Sequence, residues 1–357
     1  MGASSIEFVH SDMAVAEGVC NSLLGPGAVE KTKSSRGRKQ DWIGWSMCVD
    51  KRTVSIARHN YLKTLHGFFT VDVTKPVKMK ELQKLASWGS RYSAVCRFMR
   101  PYTNDLFTAM RNDNGNGNMA RRLDATAQNC IHLWRCCLCM MELRSASTFC
   151  RLMSSYVPSV PKYLVEFDGS LTGVGVIIFK LDNMGNELLW KVARFVFPFD
   201  LDSDSSYQNT CELIALVMAV GCMVTLKVNQ TSVAARGDST TALTWILSER
   251  FRSGPSRGAT VCYMALGVRH DIHFERRQHI KGIHNVRCDA LSRNSTPAML
   301  GFGSEQEIST SDLSWLNRLL CACNPKVHGE RNEGEATTRG YEAAWREAFA
   351  IAEGLIQ

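Results

Sequence analysis

Four acidic residues stand where a metal-dependent attack on a phosphodiester would need them. Asp168 closes an apolar run before a glycine turn, and Asp238 follows another run directly before a helix-like segment. Glu212 heads the apolar stretch CELIALVMAVGCMVTL, and Asp289 lies in NVRCDALSR. An ionised carboxylate removed from water is costly unless it is paired or bound to a metal. Two divalent cations about 4 Å apart, held by such carboxylates, would activate water and stabilise both oxygens of an in-line displacement.

Each acid also has a purely structural interpretation. Asp168 and Asp238 fit ordinary turn and cap positions, and Asp289 could complement a helix dipole. Glu212 could pair with an arginine instead of a metal. Glu166 lies two residues before Asp168 and would share its face of a strand, so it is a rival ligand. The sequence alone leaves these alternatives open.

The acids belong to residues 162–294, where strand and helix patterns are mixed. Three β runs predict an antiparallel meander: YLVEFDGS, GVGVIIFKLD and ELLWKVARFVFPF. The apolar helix follows, then the strand SVAARGDS, the helices TTALTWILSE and GATVCYMALGV, the strand IHFERRQHI and a short last helix. Ser239 or Thr240 is expected to cap TTALTWILSE, and Asn285 the last helix. This order predicts a mixed α/β domain, in which the acids would meet at strand ends and helix N-termini.

The four motifs together resemble those of a ribonuclease H domain of the reverse-transcriptase type. They occur in that family's order: FDGSLTGVGV, ELIAL, GDSTTAL and, most specifically, an asparagine followed by DALSR. The resemblance implies an RNase H-like α/β fold, a five-stranded mixed sheet flanked by helices. It also implies that the domain cleaves the RNA strand of RNA·DNA hybrids. The ligands of two Mg²⁺ (or Mn²⁺) ions would then be Asp168, Glu212, Asp238 and Asp289.

Two features of cellular ribonucleases H are missing from this pattern. The loop before Asp289 is short, so His279 or His284 could only loosely replace the histidine thought to help product leave those enzymes. Asn285, beside His284, is a further candidate auxiliary residue. The basic handle is replaced by RFRSGPSR. Basic residues that would either contact phosphates or form a solvated charged face are Arg250, Arg252, Arg276, Arg277 and Lys281.

The segment before this domain resembles other parts of a gypsy or DIRS-type reverse transcriptase. Residues 1–40 have the look of the chain after the polymerase palm and are expected to be partly disordered. Residues 41–150 resemble its hairpin (DWIGWSMCVDKRTVSIARHN) and its thumb and connection helices. Three helices are expected there: MKELQKLASWGSRYSAVCRFM, one opened by Pro101, and AQNCIHLWRCCLCMMEL. The palm strand with its paired aspartates is not in the sequence. DNA synthesis by this chain alone is therefore not expected, and a longer polyprotein could supply the palm.

The segment after the domain, residues 295–357, is expected to hold linkers and two helices. One helix is predicted at DLSWLNRLLCAC, and the other at YEAAWREAFAIAEGL. The terminal helix resembles the opening of a tyrosine recombinase core-binding domain. Such a neighbour would fit a retrotransposon polyprotein.

Composition limits the partners and the cellular setting. The formal net charge of +8 favours an anionic partner such as a nucleic acid. The 14 cysteines are unevenly spaced and no secretory leader is seen, which indicates reduced thiols in the cytoplasm or nucleus. Those in CIHLWRCCLCMMEL are interpreted as buried helix residues, not zinc ligands. Residues 213–226, the longest apolar run, are fewer than the ~20 needed to span a bilayer, so no membrane association is expected.

Two classes of function follow from these observations. The first is a metal-dependent endonuclease of a retrotransposon reverse transcriptase, acting on RNA·DNA hybrids. The alternative is a non-catalytic retroelement remnant or nucleic-acid-binding module, which the missing palm favours and the complete set of four acids disfavours. A cellular ribonuclease H is disfavoured by the thumb-like segment and by the form of the last motif.

Overall fold

The structure of the protein is a computed structural model. It describes residue 22 and residues 39–325, apart from gaps at 43, 49, 111–118, 144–150, 153–159, 202–206, 229–230, 249–255, 271 and 309–312. Several predictions lie outside the described residues: nearly all of the segment 1–38, the side chains of Arg250 and Arg252, and the helix YEAAWREAFAIAEGL. The described chain forms an N-terminal, largely helical region and a C-terminal α/β domain.

The N-terminal region, residues 39–152, combines short strands with longer helices. The first three strands form an antiparallel meander whose third strand also pairs with the sixth, and the fourth pairs with the fifth. The strands are β1 (Lys39–Trp42), β2 (Trp45–Cys48), β3 (Thr53–Ile56), β4 (Val77–Lys78), β5 (Ala120–Arg121) and β6 (Arg151–Leu152). The helices are α1 (Arg58–Thr70), α2 (Met79–Tyr92), α3 (Arg100–Met110), preceded by a 3-10 turn (Arg97–Met99), and α4 (Ala125–Leu143).

Trp134 of α4 is the centre of this region. Its ring is fully buried, 5.7 Å from the ring of Phe68 and 6.2 Å from that of Tyr92, which meets it edge-on. The neighbouring Arg135 donates a hydrogen bond of 2.9 Å from Nε to the Phe68 carbonyl. The region therefore has its own aromatic core, which holds α1, α2 and α4 together.

The N-terminal predictions are correct in part. The hairpin of β2 and β3 is confirmed, and so is the helix in CIHLWRCCLCMMEL. The predicted long helix from residue 79 ends at Tyr92, where the Ser93 hydroxyl donates to the Gly89 carbonyl. Pro101 lies in the first turn of α3, where its missing N–H leaves no hydrogen bond unmade. Helix α1 is an element that the sequence analysis does not predict.

The α/β domain contains five strands that form one sheet. The strands are β7 (Tyr163–Gly169), β8 (Gly173–Leu181), β9 (Glu187–Val196), β10 (Thr231–Gly237) and β11 (Ile272–His279). The helices are α5 (Gln208–Thr225), α6 (Thr240–Ser248), α7 (Arg257–His270), α8 (Val286–Arg293) and α9 (Leu313–Ala322). The predicted elements of this domain are all present, with ends shifted by a few residues. Ser239 caps α6: its Oγ accepts a hydrogen bond of 3.2 Å from the Ala242 N–H.

The sheet has the strand order β11-β10-β7-β8-β9. β7, β8 and β9 are antiparallel neighbours, whereas β10 and β11 run parallel to β7. Helix α5 packs on β7 and β8, and α8 also packs on both strands. A mixed five-stranded sheet of this order, flanked by helices, has the RNase H-like fold that the sequence predicts.

Helix α5 is apolar on every side because protein surrounds it. By length and composition alone its 18 residues could cross a membrane, but 78% of them are buried inside the domain. The sheet lies on one side. On another, Leu316 and Leu319 of α9 lie against Gly221, and the Trp315 ring N–H donates to the Thr225 hydroxyl at 3.0 Å. Residues beyond 294, the predicted end of the domain, thus complete its core.

Candidate active site

The first contact that builds the site is between β7 and α5. Gly169, at the end of β7, lies so close to α5 that a Cβ there would be 2.2 Å from the Cys211 carbonyl oxygen and 2.6 Å from the Glu212 nitrogen. Only glycine permits this approach. Because Asp168 precedes Gly169, the contact places the carboxylates of Asp168 and Glu212 beside each other.

The second contact is between β8 and α8. A Cβ on Gly175 would lie 2.4 Å from the Cys288 carbonyl oxygen and 2.7 Å from Cβ of Leu291, so the helix backbone rests directly on the strand. Gly175 is paired with Asp168 across the two strands. The short helix therefore brings Asn285 and Ser292 next to Asp168.

Three of the four predicted acids converge at this point. Ligand oxygens of Asp168, Glu212 and Asp238 all lie within 4.8 Å of one another. Asp168 and Glu212 are each only 4% exposed, and Asp238 is half-buried. No other group of His, Cys, Asp or Glu with this geometry occurs among the residues that the structure describes.

The electrostatics of the cluster favour a cation. Burial, followed by the charges of Asp238 and Asp289, raises the pKa of Asp168 from 3.8 to about 6, against the opposing effect of the Ser292 hydrogen bond. Burial also raises the pKa of Glu212 well above 4.5, and the charges of Asp168 and Asp238 add to the shift. Without a cation these carboxylates repel one another in a poorly solvated site.

The carboxylate donors of the cluster fit Mg²⁺ or Mn²⁺. Oε2 of Glu212 is buried and accepts no hydrogen bond within the described structure, which leaves a costly unsatisfied oxygen. Hard divalent cations bind carboxylate oxygens of this kind. Asp168, Glu212 and Asp238 are therefore the residues that would hold such an ion.

Neutral side chains fix the orientation of the acids. Ser292 Oγ donates to Oδ2 of Asp168 at 2.5 Å. The Asn285 amide lies 3.2 Å from Oδ1 of Asp168, 3.4 Å from Oδ1 of Asp238 and 3.3 Å from the Phe167 carbonyl. Asn285 was predicted to cap α8, but its side chain makes no capping bond because it is turned towards these oxygens.

Gln208 and Ser292 are site residues that the sequence analysis does not identify. Gln208 Nε2 donates to the Gly169 carbonyl at 2.7 Å and lies 3.4 Å from Oε1 of Glu212. Its position four residues before Glu212 on a helix was the available signal. For Ser292 the signal was weaker, because its partner is 124 residues away in the sequence.

Asp289, the fourth predicted acid, stands apart from the other three. Its Oδ1 accepts a hydrogen bond of 2.8 Å from Nε of Arg293, one turn later on α8. It remains close enough for its charge to raise the pKa of Asp168. The structure thus places Asp289 at the rim of the cluster, in an ion pair.

Glu166, the rival ligand, is held elsewhere. It forms an ion pair with Arg236 on β10, with 2.7 Å between Oε2 and the guanidinium. Arg236 also binds Glu187 at 2.6 Å. The pairing with arginine that the sequence allowed for Glu212 is thus found at Glu166 instead.

The predicted basic and auxiliary residues that the structure describes differ in their surroundings. Arg276, Arg277 and Lys281 are exposed, and Arg277 donates to the Thr244 hydroxyl at 2.8 Å. His284 is exposed, whereas a ring nitrogen of His279 lies 3.1 Å from the Asp238 carbonyl oxygen. Of the two histidines, His279 is the one for which the described structure shows a contact with a residue of the cluster, Asp238.

Comparisons with known proteins find partial similarity to solved structures. No protein-family model and no curated protein matches the sequence. RNase H1 from the halophilic archaeon Halobacterium salinarum NRC-1 is 19% identical, over 36% of this chain and 92% of that chain, with a TM-score of 0.28. LC11-RNase H1, isolated from compost and solved with an RNA/DNA hybrid, is 17% identical, over 39% of this chain and 100% of that chain, with a TM-score of 0.30. The foamy viral protease-reverse transcriptase in complex with RNA/DNA hybrid is 13% identical, over 69% of this chain and 30% of that chain, with a TM-score of 0.24.

Proposed function

We propose that the α/β domain is a divalent-cation-dependent endonuclease that hydrolyses the RNA strand of RNA·DNA hybrids. The observation that carries the proposal is the cluster of Asp168, Glu212 and Asp238, with its unpartnered buried oxygen, at the strand ends of an RNase H-like sheet. The sequence motifs around these acids support the same function. Water would attack the phosphorus atom in line, leaving a 5′-phosphate and a 3′-hydroxyl.

The chain's own residues prepare this reaction before a substrate binds. Asp168 receives hydrogen bonds from both Ser292 and Asn285, so its two oxygens have fixed directions. Glu212 is held by Gln208 and by the backbone of Gly169. Two Mg²⁺ or Mn²⁺ ions, when bound, would supply a water of lowered pKa and positive charge beside the leaving oxygen.

Recognition of the hybrid is proposed to depend on its shape and not on its base sequence. Proteins recognise such helices mostly by shape, phosphates and 2′-hydroxyls, because side chains cannot read the bases in the deep, narrow A-form major groove. Arg276, Arg277 and Lys281 are exposed and carry the positive charge that phosphates require. The finer attribution, to a retrotransposon reverse transcriptase whose palm lies outside this chain, rests on the sequence resemblance. An intracellular location is proposed because the twelve described cysteines form no disulfide with one another.

The test compares cleavage of three labelled duplexes: an RNA·DNA hybrid, duplex RNA and duplex DNA. The parent chain should cut only the hybrid, and only with Mg²⁺ or Mn²⁺ present and chelator absent. Asp168→Asn should lower the rate on the order of 10³-fold or more, because it removes a cation ligand. Asp182→Asn is the matched control, since Asp182 is an aspartate in the β8–β9 turn whose side-chain hydrogen bonds in the described structure go to Met184 and Asn186 of that turn.

Two outcomes would contradict the proposal. One is an Asp168→Asn chain that cuts hybrid as fast as the parent. The other is a parent chain that is folded and binds the hybrid but leaves it intact with either cation. The second outcome would favour the alternative function, a non-catalytic nucleic-acid-binding module.

A further inference from the structure

The ion pair between Asp289 and Arg293 is the starting point. Nε of Arg293 donates to Oδ1 of Asp289 at 2.8 Å, and both side chains lie near the surface, 61% and 42% exposed. Asp289 is absent from the group of three carboxylates whose oxygens lie within 4.8 Å of one another. The fourth acid is therefore bound to a cation that belongs to the chain itself.

The charge of Arg293 also acts on carboxylates other than its partner Asp289. It counteracts the rise in the pKa of Asp168, and in return the charges of Asp168 and Asp238 help raise the pKa of Arg293. The guanidinium is hydrogen-bonded to Asp289 at the rim of the cluster, so it occupies a carboxylate that a second cation would need. Its charge has the same sign as that cation.

We propose that Arg293 is an internal counter-cation that competes with a second divalent ion for Asp289. The proposal rests on the function proposed above. Asp168, Glu212 and Asp238 form a site for a first ion without any rearrangement. A second ion binds when Asp289 exchanges Arg293 for the metal, so the two ions bind with unequal affinity.

The exchange is physically accessible because the ion pair is exposed. Such pairs contribute little to stability, since water screens them and two long side chains must be ordered. A divalent ion brings twice the charge of a guanidinium to the same carboxylate. Arg293 therefore weakens the binding of the second ion without preventing it, and filling both sites requires a higher concentration of free cation.

The test is a titration of the full chain with Mn²⁺ in the absence of nucleic acid, with free Mn²⁺ measured by electron paramagnetic resonance. The parent should bind two ions, one tighter than the other. Arg293→Gln should tighten the weaker site by about three- to tenfold, because it removes a fixed positive charge close to the site. The tighter site should change less than twofold.

Arg287→Gln is the matched control for the loss of one positive charge on the same helix. Arg287 is exposed, and its guanidinium lies 5.6 Å from the centre of the Phe302 ring. It should shift neither Mn²⁺ affinity. Asp289→Asn should remove the weaker site and spare the tighter one, and Arg293→Lys, which keeps the charge, should behave like the parent.

Three results would overturn the proposal: a single Mn²⁺ per parent chain, a weaker site that is unchanged or loosened in Arg293→Gln, or a weaker site that survives in Asp289→Asn. A loosened site would mean that Arg293 orients Asp289 for the metal. The titration contains no substrate, so failure of the nuclease proposal is distinguishable. Cation binding as expected, together with an uncut hybrid, would reject the nuclease and keep the role of Arg293.

Discussion

The two regions of the molecule differ in the polar groups that they bury. In the described part of residues 39–152 the buried polar side chains are all neutral: Ser46, Thr64, Ser93, Thr103 and Asn129. Ser93 and Thr103 donate to helix carbonyls four residues earlier. The α/β domain instead buries three carboxylates, Glu166, Asp168 and Glu212, together with polar partners such as Asn285 and Ser292.

This difference indicates a structural role for the buried polar groups of the helical region and a ligand-binding role for those of the α/β domain. Neutral hydroxyls that bond to their own helix cost little and specify no ligand. Buried carboxylates are costly, so a fold that keeps them must satisfy them in another way. Glu166 is satisfied by Arg236, but Glu212 keeps an oxygen with no partner in the described structure. The comparison therefore supports the α/β domain as the location of the proposed active site.

The largest expected effect is on the stability of the helical region. Trp134→Ala removes a fully buried ring from contact with Phe68 and Tyr92, and should lower the free energy of unfolding of this region by about 3–5 kcal/mol. Mn²⁺ affinity, measured below the unfolding transition, should stay as in the parent. Denaturant titration followed by circular dichroism, combined with the Mn²⁺ titration, measures both.

The matched control for this prediction is Phe69→Ala. Phe69 adjoins Phe68 in α1 but is 50% exposed, so its truncation should have a much smaller effect on stability. If Trp134→Ala instead weakened Mn²⁺ binding under conditions where both regions are folded, the assignment of a purely structural role to the helical region would be wrong. The 3-10 turn Arg97–Met99, which packs on α7, would be the contact to examine.

The next effect is on the pH dependence of stability without metal. The pKa of Asp168 is about 6 in the folded chain, and its reference value for the unfolded chain is 3.8. Between about pH 4 and 6 the unfolded chain therefore loses a proton that the folded chain keeps. Stability must then fall as pH rises through this window, by about 3 kcal/mol at 1.4 kcal/mol per pH unit. The raised pKa of Glu212 acts in the same direction. Denaturant unfolding in chelator at several pH values measures the fall, and Asp168→Asn should reduce it.

A carboxylate of the helical region supplies the contrasting control. Hydrogen bonds from the Thr74 and Lys75 side chains, with one from the Thr74 N–H, lower the pKa of exposed Asp72 from 3.8 to about 2. Its contribution to stability is present above pH 4 and is lost as pH falls towards 2. Asp72→Asn should therefore leave the slope between pH 4 and 6 unchanged. Equal slopes in the parent and Asp168→Asn would show that the buried cluster does not control this window.

How far the sequence predicts the fold depends on how local the signals are. The strand β7 and the helix α5 carry continuous apolar patterns bounded by turn residues, and both were predicted to within three residues. Helix α1 has a weak pattern, because its buried face consists of Tyr61, Thr64 and Phe68. A buried threonine and a central glycine conceal the amphipathic period there.

The same distinction applies to the site. The convergence of Asp168, Glu212 and Asp238 was predictable, because acids at strand ends and helix N-termini of an α/β sheet meet at one place. The pairing of Asp289 with Arg293 was allowed by their spacing of four residues, but the sequence could not rank it against metal binding. The role of Ser292 depends on the contact of α8 with Gly175, which no local pattern reveals.

The smallest expected effect concerns this hydroxyl. Ser292→Ala leaves Oδ2 of Asp168 without its 2.5 Å donor, so the carboxylate should turn more freely and bind its cation about 10- to 100-fold more weakly. The Mn²⁺ titration measures this change at the tighter site. Ser239→Ala, which removes the cap of α6 in the same domain, should cost about 1 kcal/mol of stability and leave Mn²⁺ affinity unaltered. If both serine variants lost stability alike and neither changed the affinity, Ser292 would be a structural hydroxyl like those of the helical region, and the contrast between the two regions would rest on the carboxylates alone.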